Sequence, residues 1–263
     1  MKLLRAFIYP VKSLRGVEVP SLELDALGPV GDRRWMVVDE KGRFVTQRSV
    51  PAMATIQPAL ASGQLTLQAS DASLRVDEPP ADGPRRRVTV WKDSFDALDA
   101  GEAAAAWLSA QLKTTVRLVK FAPDVRRDVD PNYARDAQTS FSDGYPLLIT
   151  NETSLDALNA KLASPVPMER FRPNLVVRAD QPWAEDGWSQ LVIDGVSFEG
   201  VKTCARCVMI NTDQRTGARP DGDAPLKTLT ALHGVTGRGA IFGMNLVHRG
   251  TGPVRVGSGV SLR

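Results

Sequence analysis

The sequence contains two cysteines, and they stand together in Cys204-Ala205-Arg206-Cys207. A 263-residue chain that uses cysteine only as a close pair invites a chemical reading of that pair. On the residues alone, four readings stay open. Zinc binding would need two further donors, and the two histidines, His233 and His248, lie too far apart for the usual paired spacing. A thioredoxin-type redox pair should open a helix after a strand, whereas residues 207–211 read as strand. Two buried, inert thiols would need no explanation beyond packing. A single thiolate could instead bind a soft, thiophilic metal whose remaining ligands come from a cofactor.

A second set of residues is cationic. Lys12 and Ser13 follow Pro10, Arg33 and Arg34 follow Gly31-Asp32, and Arg172 precedes Pro173-Asn174. Each cation stands beside a backbone-bending residue at an expected strand end, and a guanidinium can grip phosphate through two parallel hydrogen bonds. Taken singly, each reads best as a solvated surface charge. Three such places, with a hydroxyl and an amide, strengthen the case for an anion site. The run Arg85-Arg86-Arg87 has only Trp91 as a nearby aromatic and reads as a solvated strand entry rather than a nucleic-acid contact. His233 and His248 read as satisfied polar residues. There is no Walker loop, G-x-G-x-x-G or Ser-His-Asp order.

The elements that must position these residues are mostly strands. Residues 3–9, 17–24, 34–39, 43–46, 65–67, 74–76 and 88–91 read as short strands, with a hairpin turn at Asp39-Glu40-Lys41-Gly42. That spacing suggests a small β-barrel or sandwich. A helix is expected over residues 101–112, with Trp107, Leu108 and Leu112 on one face, followed by a strand over 116–121. Residues 123–142 lack any apolar period, and a loop of that length is more often functional than accidental. Residues 147–149 lead into a helix over 154–162, with capping oxygens at Glu152, Thr153 and Ser154. Further strands are expected at 175–178, 190–193, 196–198, 207–211 and 254–256. The expected fold class is mainly β with a minority of helix, divided near residue 120, with strands open to exchange between the halves.

Apolar residues make up 43% of the chain and charged residues 24%, as in ordinary globular proteins. Thirty-three basic residues against 30 acidic ones leave a net charge of +3, which argues against a general nucleic-acid or membrane role. No run of about 18 apolar residues is present to span a bilayer. The chain opens directly into strand-like sequence, without the pattern of a signal peptide. The expectation is a cytoplasmic protein with both thiols free.

Five short segments in order resemble the MOSC family: Tyr9-Pro10-Val11-Lys12-Ser13, Gly31-Asp32-Arg33-Arg34-Trp35, Phe171-Arg172-Pro173-Asn174, Cys204-Ala205-Arg206-Cys207 and Ile241-Phe242-Gly243-Met244-Asn245. The turn Asp213-Gln214-Arg215-Thr216-Gly217 fits the same pattern. Residues 1–118 are similar to the family's N-terminal β-barrel domain and residues 119–263 to the MOSC domain itself. Within the family, the chain resembles the amidoxime-reducing components and the bacterial hydroxylaminopurine-resistance reductases.

The resemblance implies a molybdenum cofactor, molybdenum on molybdopterin, with Cys207 as metal ligand and catalytic residue. It implies that Lys12, Ser13, Arg33, Arg172 and Asn174 hold the pterin phosphate, and that Ser142, Asp143, Gly144 and Tyr145 form a cofactor-contacting loop. Asn245 falls at a further cofactor position, where the animal branch carries Tyr. The implied activity is reduction of N-hydroxylated compounds: hydroxylamines, amidoximes and N-hydroxy bases. Bacterial relatives often carry an iron–sulfur domain, and this sequence has no cysteines left for one, so a separate ferredoxin or flavoprotein donor is expected. Substrate is expected to enter over residues 123–142 and 215–225. A sulfur carrier using a Cys207 persulfide and a non-catalytic cofactor-binding protein remain as alternatives.

Overall fold

The computed structural model describes residues 1–61, 63–70, 72–236 and 239–263, with residues 235 and 236 by backbone alone. Apolar side chains along the strand Lys2–Ile8 bury Leu3, Ala6 and Phe7, and this strand lies between one near and one distant segment of the chain. It pairs antiparallel with Leu175–Arg178 on one side and Val17–Val19 on the other. The main sheet continues from Leu175–Arg178 through Leu147–Asn151, Gly239–Arg249, Val196–Ala205 and Gln190–Ile193 to Val260–Leu262. Only the pairing of Leu147–Asn151 with Leu175–Arg178 is parallel in that path; the helix Glu152–Asn159 lies within this connection.

Most of the N-terminal half forms two smaller sheets. One has the order Trp35–Val38, Arg117–Lys120, Asp93–Asp99, Arg85–Val90, and the other is the meander Gln57–Ala61, Gln64–Ala69, Ala72–Val76. The helix Glu102–Leu112 packs Ala104, Leu108 and Leu112 into the core shared with Val11, Leu14 and Trp35. A separate core joins Phe7 and Tyr9 to Phe171, Ile210 and Phe242, and it underlies the site described below. The mainly β expectation holds. Among the described residues, no helix is long and apolar enough to cross a membrane.

Two local expectations change, and the long loop takes a defined form. Residues 207–211 do not form a strand: Val208–Asn211 is a single 3-10 turn, closed by Ile210 N–H to Cys207 O at 3.2 Å and Thr212 N–H to Met209 O at 3.0 Å. Ile210 and Asn211 are buried while Val208 is 37% exposed, so the apolar run serves a turn whose residues face different environments. The second helix begins at Glu152, and Asn151 caps it by accepting from Thr153 N–H at 3.1 Å. The Ser154 hydroxyl donates instead to buried Glu185, at 2.7 Å. The long loop of residues 123–142 is tied back on itself, with Val129 N–H to Ala137 O at 2.9 Å and Thr139 N–H to Arg127 O at 3.0 Å.

Candidate active site

Backbone hydrogen bonds bring the first two cationic segments together. Arg33 N–H donates to Tyr9 O at 2.8 Å, Trp35 N–H to Pro10 O at 3.1 Å, and Lys12 N–H to Trp35 O at 2.8 Å. Tyr9 N–H donates to buried Asp32 Oδ1 at 2.8 Å, which locks the turn from beneath. Asn174 carries the third segment to the same place. Its Nδ2 donates to Phe7 O at 3.1 Å, and its Oδ1 accepts from Arg33 Nη1 at 3.0 Å and Leu148 N–H at 3.1 Å. Ser13, Arg33 and Arg172 all have positive φ, at 65°, 46° and 56°. Side-chain-bearing residues rarely adopt that region, and such strain gathers at functional sites.

These turns open on a cavity of about 1090 Å³. Lys12, Ser13, Arg33, Arg172 and Asn174 line it, as do Ser142, Asp143, Gly144 and Tyr145, Cys207 and Asn245. Every residue that the sequence singled out for the cofactor therefore lies on one wall system. Residues 126–131 and Tyr133 of the long loop border the cavity too. Residues 215–225, expected at the entrance, are not among the described residues that line it.

The cations differ in how they are compensated. Lys12 Nζ donates to Phe141 O at 2.7 Å and to Asp143 Oδ1 at 2.5 Å. Burial pushes the Lys12 ammonium below its ordinary pKa, and Asp143 opposes that drop. Arg33 Nη1 reaches Asp32 Oδ2 at 2.6 Å. Arg172 is different: its Nη1 donates to Leu14 O at 2.7 Å and Gln214 Oε1 at 3.3 Å, both uncharged. Among the described residues it makes no ion pair, although it is only 9% exposed. Burial pushes this guanidinium down to about 10, and Arg33 nearby adds to the drop. The Tyr9 ring has Arg33 Cζ 4.3 Å and Arg172 Cζ 4.2 Å from its centroid, so both guanidiniums stack on one buried aromatic.

The thiols lie at the end of the strand Val196–Ala205 and just beyond it. Both line the cavity and both are free; Cys207 is exposed and Cys204 half-buried. Arg206 Nη1 stands 2.9 Å from Cys204 Sγ, and its Nη2 donates to Phe171 O at 2.7 Å. Among the described residues, no cluster of three or more His, Cys, Asp or Glu could hold a metal ion. A metal here would need most of its ligands from elsewhere. His233 pairs with Asp186 at 2.7 Å and stacks on Trp183, in keeping with a satisfied polar residue. The run Arg85-Arg86-Arg87 is matched by Asp124, Asp99 and Asp96.

Arg127 is a site residue the sequence did not reveal. Buried to 6% exposure, it donates to Asp93 Oδ2 at 2.8 Å, Ser140 O at 2.7 Å and Ser142 O at 2.6 Å, and so shapes the loop that carries Asp143. The only signal was its place in a long aperiodic loop. Trp91, beneath Arg48, and Tyr133, beneath Lys202, also border the cavity; their partners are distant in sequence.

Comparison with known proteins covers most of the chain. Residues 1–115 match the MOSC N-terminal beta barrel domain, and residues 136–261 match the MOSC domain. The mitochondrial amidoxime-reducing component 1 of Mus musculus is 34% identical, over 97% of this chain and 80% of its own length. The mitochondrial amidoxime reducing component 2 of Homo sapiens is 33% identical, over 86% of this chain and 70% of its own length. A molybdenum cofactor sulfurase of Danio rerio is 33% identical over 94% of this chain but only 32% of its own length. On these matches, and on the ordered segments that meet in one cavity, the chain belongs to the MOSC family.

Proposed function

We propose that this cavity binds a molybdenum–pterin cofactor and that the chain reduces N-hydroxylated compounds, namely hydroxylamines, amidoximes and N-hydroxy bases. The observation that carries the reading is Arg172, a buried cation that makes no ion pair with a carboxylate among the described residues, on the same cavity as the exposed thiol of Cys207. A buried charge calls for a counter-charge, and a phosphate supplies one with matching geometry. The donor set fits as well: one accessible thiol suits a metal that arrives with sulfur ligands of its own.

Within this reading, Lys12, Ser13, Arg33 and Arg172 hold the phosphate. Tyr9 spaces the two guanidiniums, Asn174 braces Arg33, and Arg127 fixes the backbone of residues 142–145 against the ligand. Asn245 donates to Lys202 O at 3.0 Å, so its amide braces the adjoining strand at the cofactor pocket. Cys207 Sγ is the protein's ligand to the metal. When bound, the cofactor supplies a two-electron centre able to take oxygen from an N–OH group. Electrons come from a separate ferredoxin or flavoprotein. The domain division at residues 118 and 119 belongs to the same reading, supported by family matches at 1–115 and 136–261.

The exposure of Cys207 also suits a second reading, a persulfide carrier. Elemental analysis of protein made in a host that synthesises the cofactor separates the two. About one molybdenum per chain supports the first reading. Absence of metal, with sulfane sulfur released by reductant, supports the second.

A further inference from the structure

Gln47 and Gln214 form a reciprocal amide pair across 167 residues of sequence. Gln47 Nε2 donates to Gln214 Oε1 at 3.0 Å, and Gln214 Nε2 donates to Gln47 Oε1 at 2.9 Å. Both side chains are buried, and neither is among the described residues lining the cavity. Their remaining capacity goes to groups that do bear on it. Gln47 Nε2 also donates to Ser13 O at 2.9 Å. Gln214 Oε1 also accepts from Arg172 Nη1 at 3.3 Å, and Gln214 Nε2 donates to Thr212 O at 3.2 Å. One uncharged pair thus ties together the left-handed turn at Ser13, left-handed Arg172 and the segment that follows Cys207.

The choice of amides has a physical consequence. A carboxylate in place of Gln214 would grip the guanidinium more strongly, and it would also neutralise it. An amide fixes direction and leaves the positive charge for an incoming anion. The pair also bears on strained backbone, since Gln47 holds the carbonyl of Ser13, a residue at positive φ.

We infer that Gln47 and Gln214 are positioning residues of an oxyanion site: they hold Ser13 and Arg172 ready for a phosphate group without quenching the charge of Arg172. The inference rests on reading this wall as a phosphate site.

The test is calorimetric titration of the full chain, purified free of cofactor, with inorganic phosphate, alongside thermal unfolding to establish folding. Gln214→Glu should weaken phosphate binding at pH 8 by roughly 10- to 100-fold, the range expected when a charge-assisted hydrogen bond is lost. The ratio of variant to wild-type affinity should recover as pH falls and the new carboxyl takes up a proton. Gln47→Leu, which adds no charge, gives the ratio against which that recovery is read, because phosphate titrates in both. Gln47→Leu removes the tie to Ser13 without adding charge; it should lower affinity and keep the wild-type pH profile, and it carries the test if Gln214→Glu does not fold. Wild-type affinity in Gln47→Leu, or in Gln214→Glu at pH 8, would overturn the inference alone. Failure of the wild-type chain to bind phosphate would overturn the phosphate site itself.

Discussion

Lys12 Nζ lies 2.5 Å from Asp143 Oδ1 and joins a side chain that is 7% exposed to one that is 71% exposed. The pair spans the cavity wall, with its ammonium inside and its carboxylate at the surface, where Trp91 Nε1 also donates to Asp143 at 3.1 Å. Burial has already moved Lys12 below its ordinary value of 10.5, and Asp143 limits the fall. Between the lowered and the ordinary value, the folded chain binds fewer protons than the unfolded chain. Folding stability therefore gains from this group as pH rises through that window. Anion binding requires the charge and so weakens over the same range. Asp143→Asn should shift the alkaline loss of phosphate affinity to lower pH. An unmoved or upward-shifted alkaline limb would refute the coupling.

Arg172 and Arg86 provide a matched comparison. Arg86 pairs with Asp99 at the edge of a sheet and is not among the described residues lining the cavity. Arg172→Ala should cost roughly 1.5–3 kcal/mol of phosphate-site affinity, the scale of a charge-assisted hydrogen bond, and should lower the pterin retained through gel filtration. Arg86→Ala should leave retention at the wild-type level. Equal retention in the two variants would remove Arg172 from the anion site.

Gly200 tests the strand that delivers the thiols. A Cβ on this residue would stand 1.8 Å from Trp188 O, and the pairing of this strand with Gly239–Arg249 shifts register between Gly200 and Lys202. Gly200→Ala should destabilise the chain by about 1–3 kcal/mol in denaturant unfolding, because backbone must move to admit the methyl group. Wild-type stability would mean that the strand yields more freely than its packing indicates.

The segments that converge on the cavity were legible through their resemblance to the MOSC motifs; Pro10, Gly31 and Pro173 mark bends beside Lys12, Arg33 and Arg172, but singly each cation read as a solvated surface charge. The positive φ at Arg33 and Arg172 was not legible, since nothing local distinguishes an arginine held in that region by distant hydrogen bonds. The strand Gly239–Arg249 escaped because both its faces are covered over much of its length, which removes alternation, and because Gly243, at φ 85°, allows Ile149 O to approach closely. The helix Ala224–His233 escaped because it buries only Pro225 and Leu229 and so has little apolar stripe. Residues 207–211 misled for the opposite reason, an apolar run whose members point to different environments. Arg127 acts through carbonyls of Ser140 and Ser142, a relationship that only the folded loop creates.

Molybdenum, pterin and turnover measured together on Cys207→Ser and Cys204→Ser bear most directly on the central claim, a cofactor anchored through its phosphate with Cys207 as the single protein ligand. Cys207→Ser should lose turnover of a hydroxylamine substrate while keeping much of its pterin, because the phosphate contacts are independent of the thiol. Cys204→Ser should keep its pterin and most of its turnover. Equal inactivation of both variants, or complete loss of pterin from Cys207→Ser in a folded chain, would contradict it.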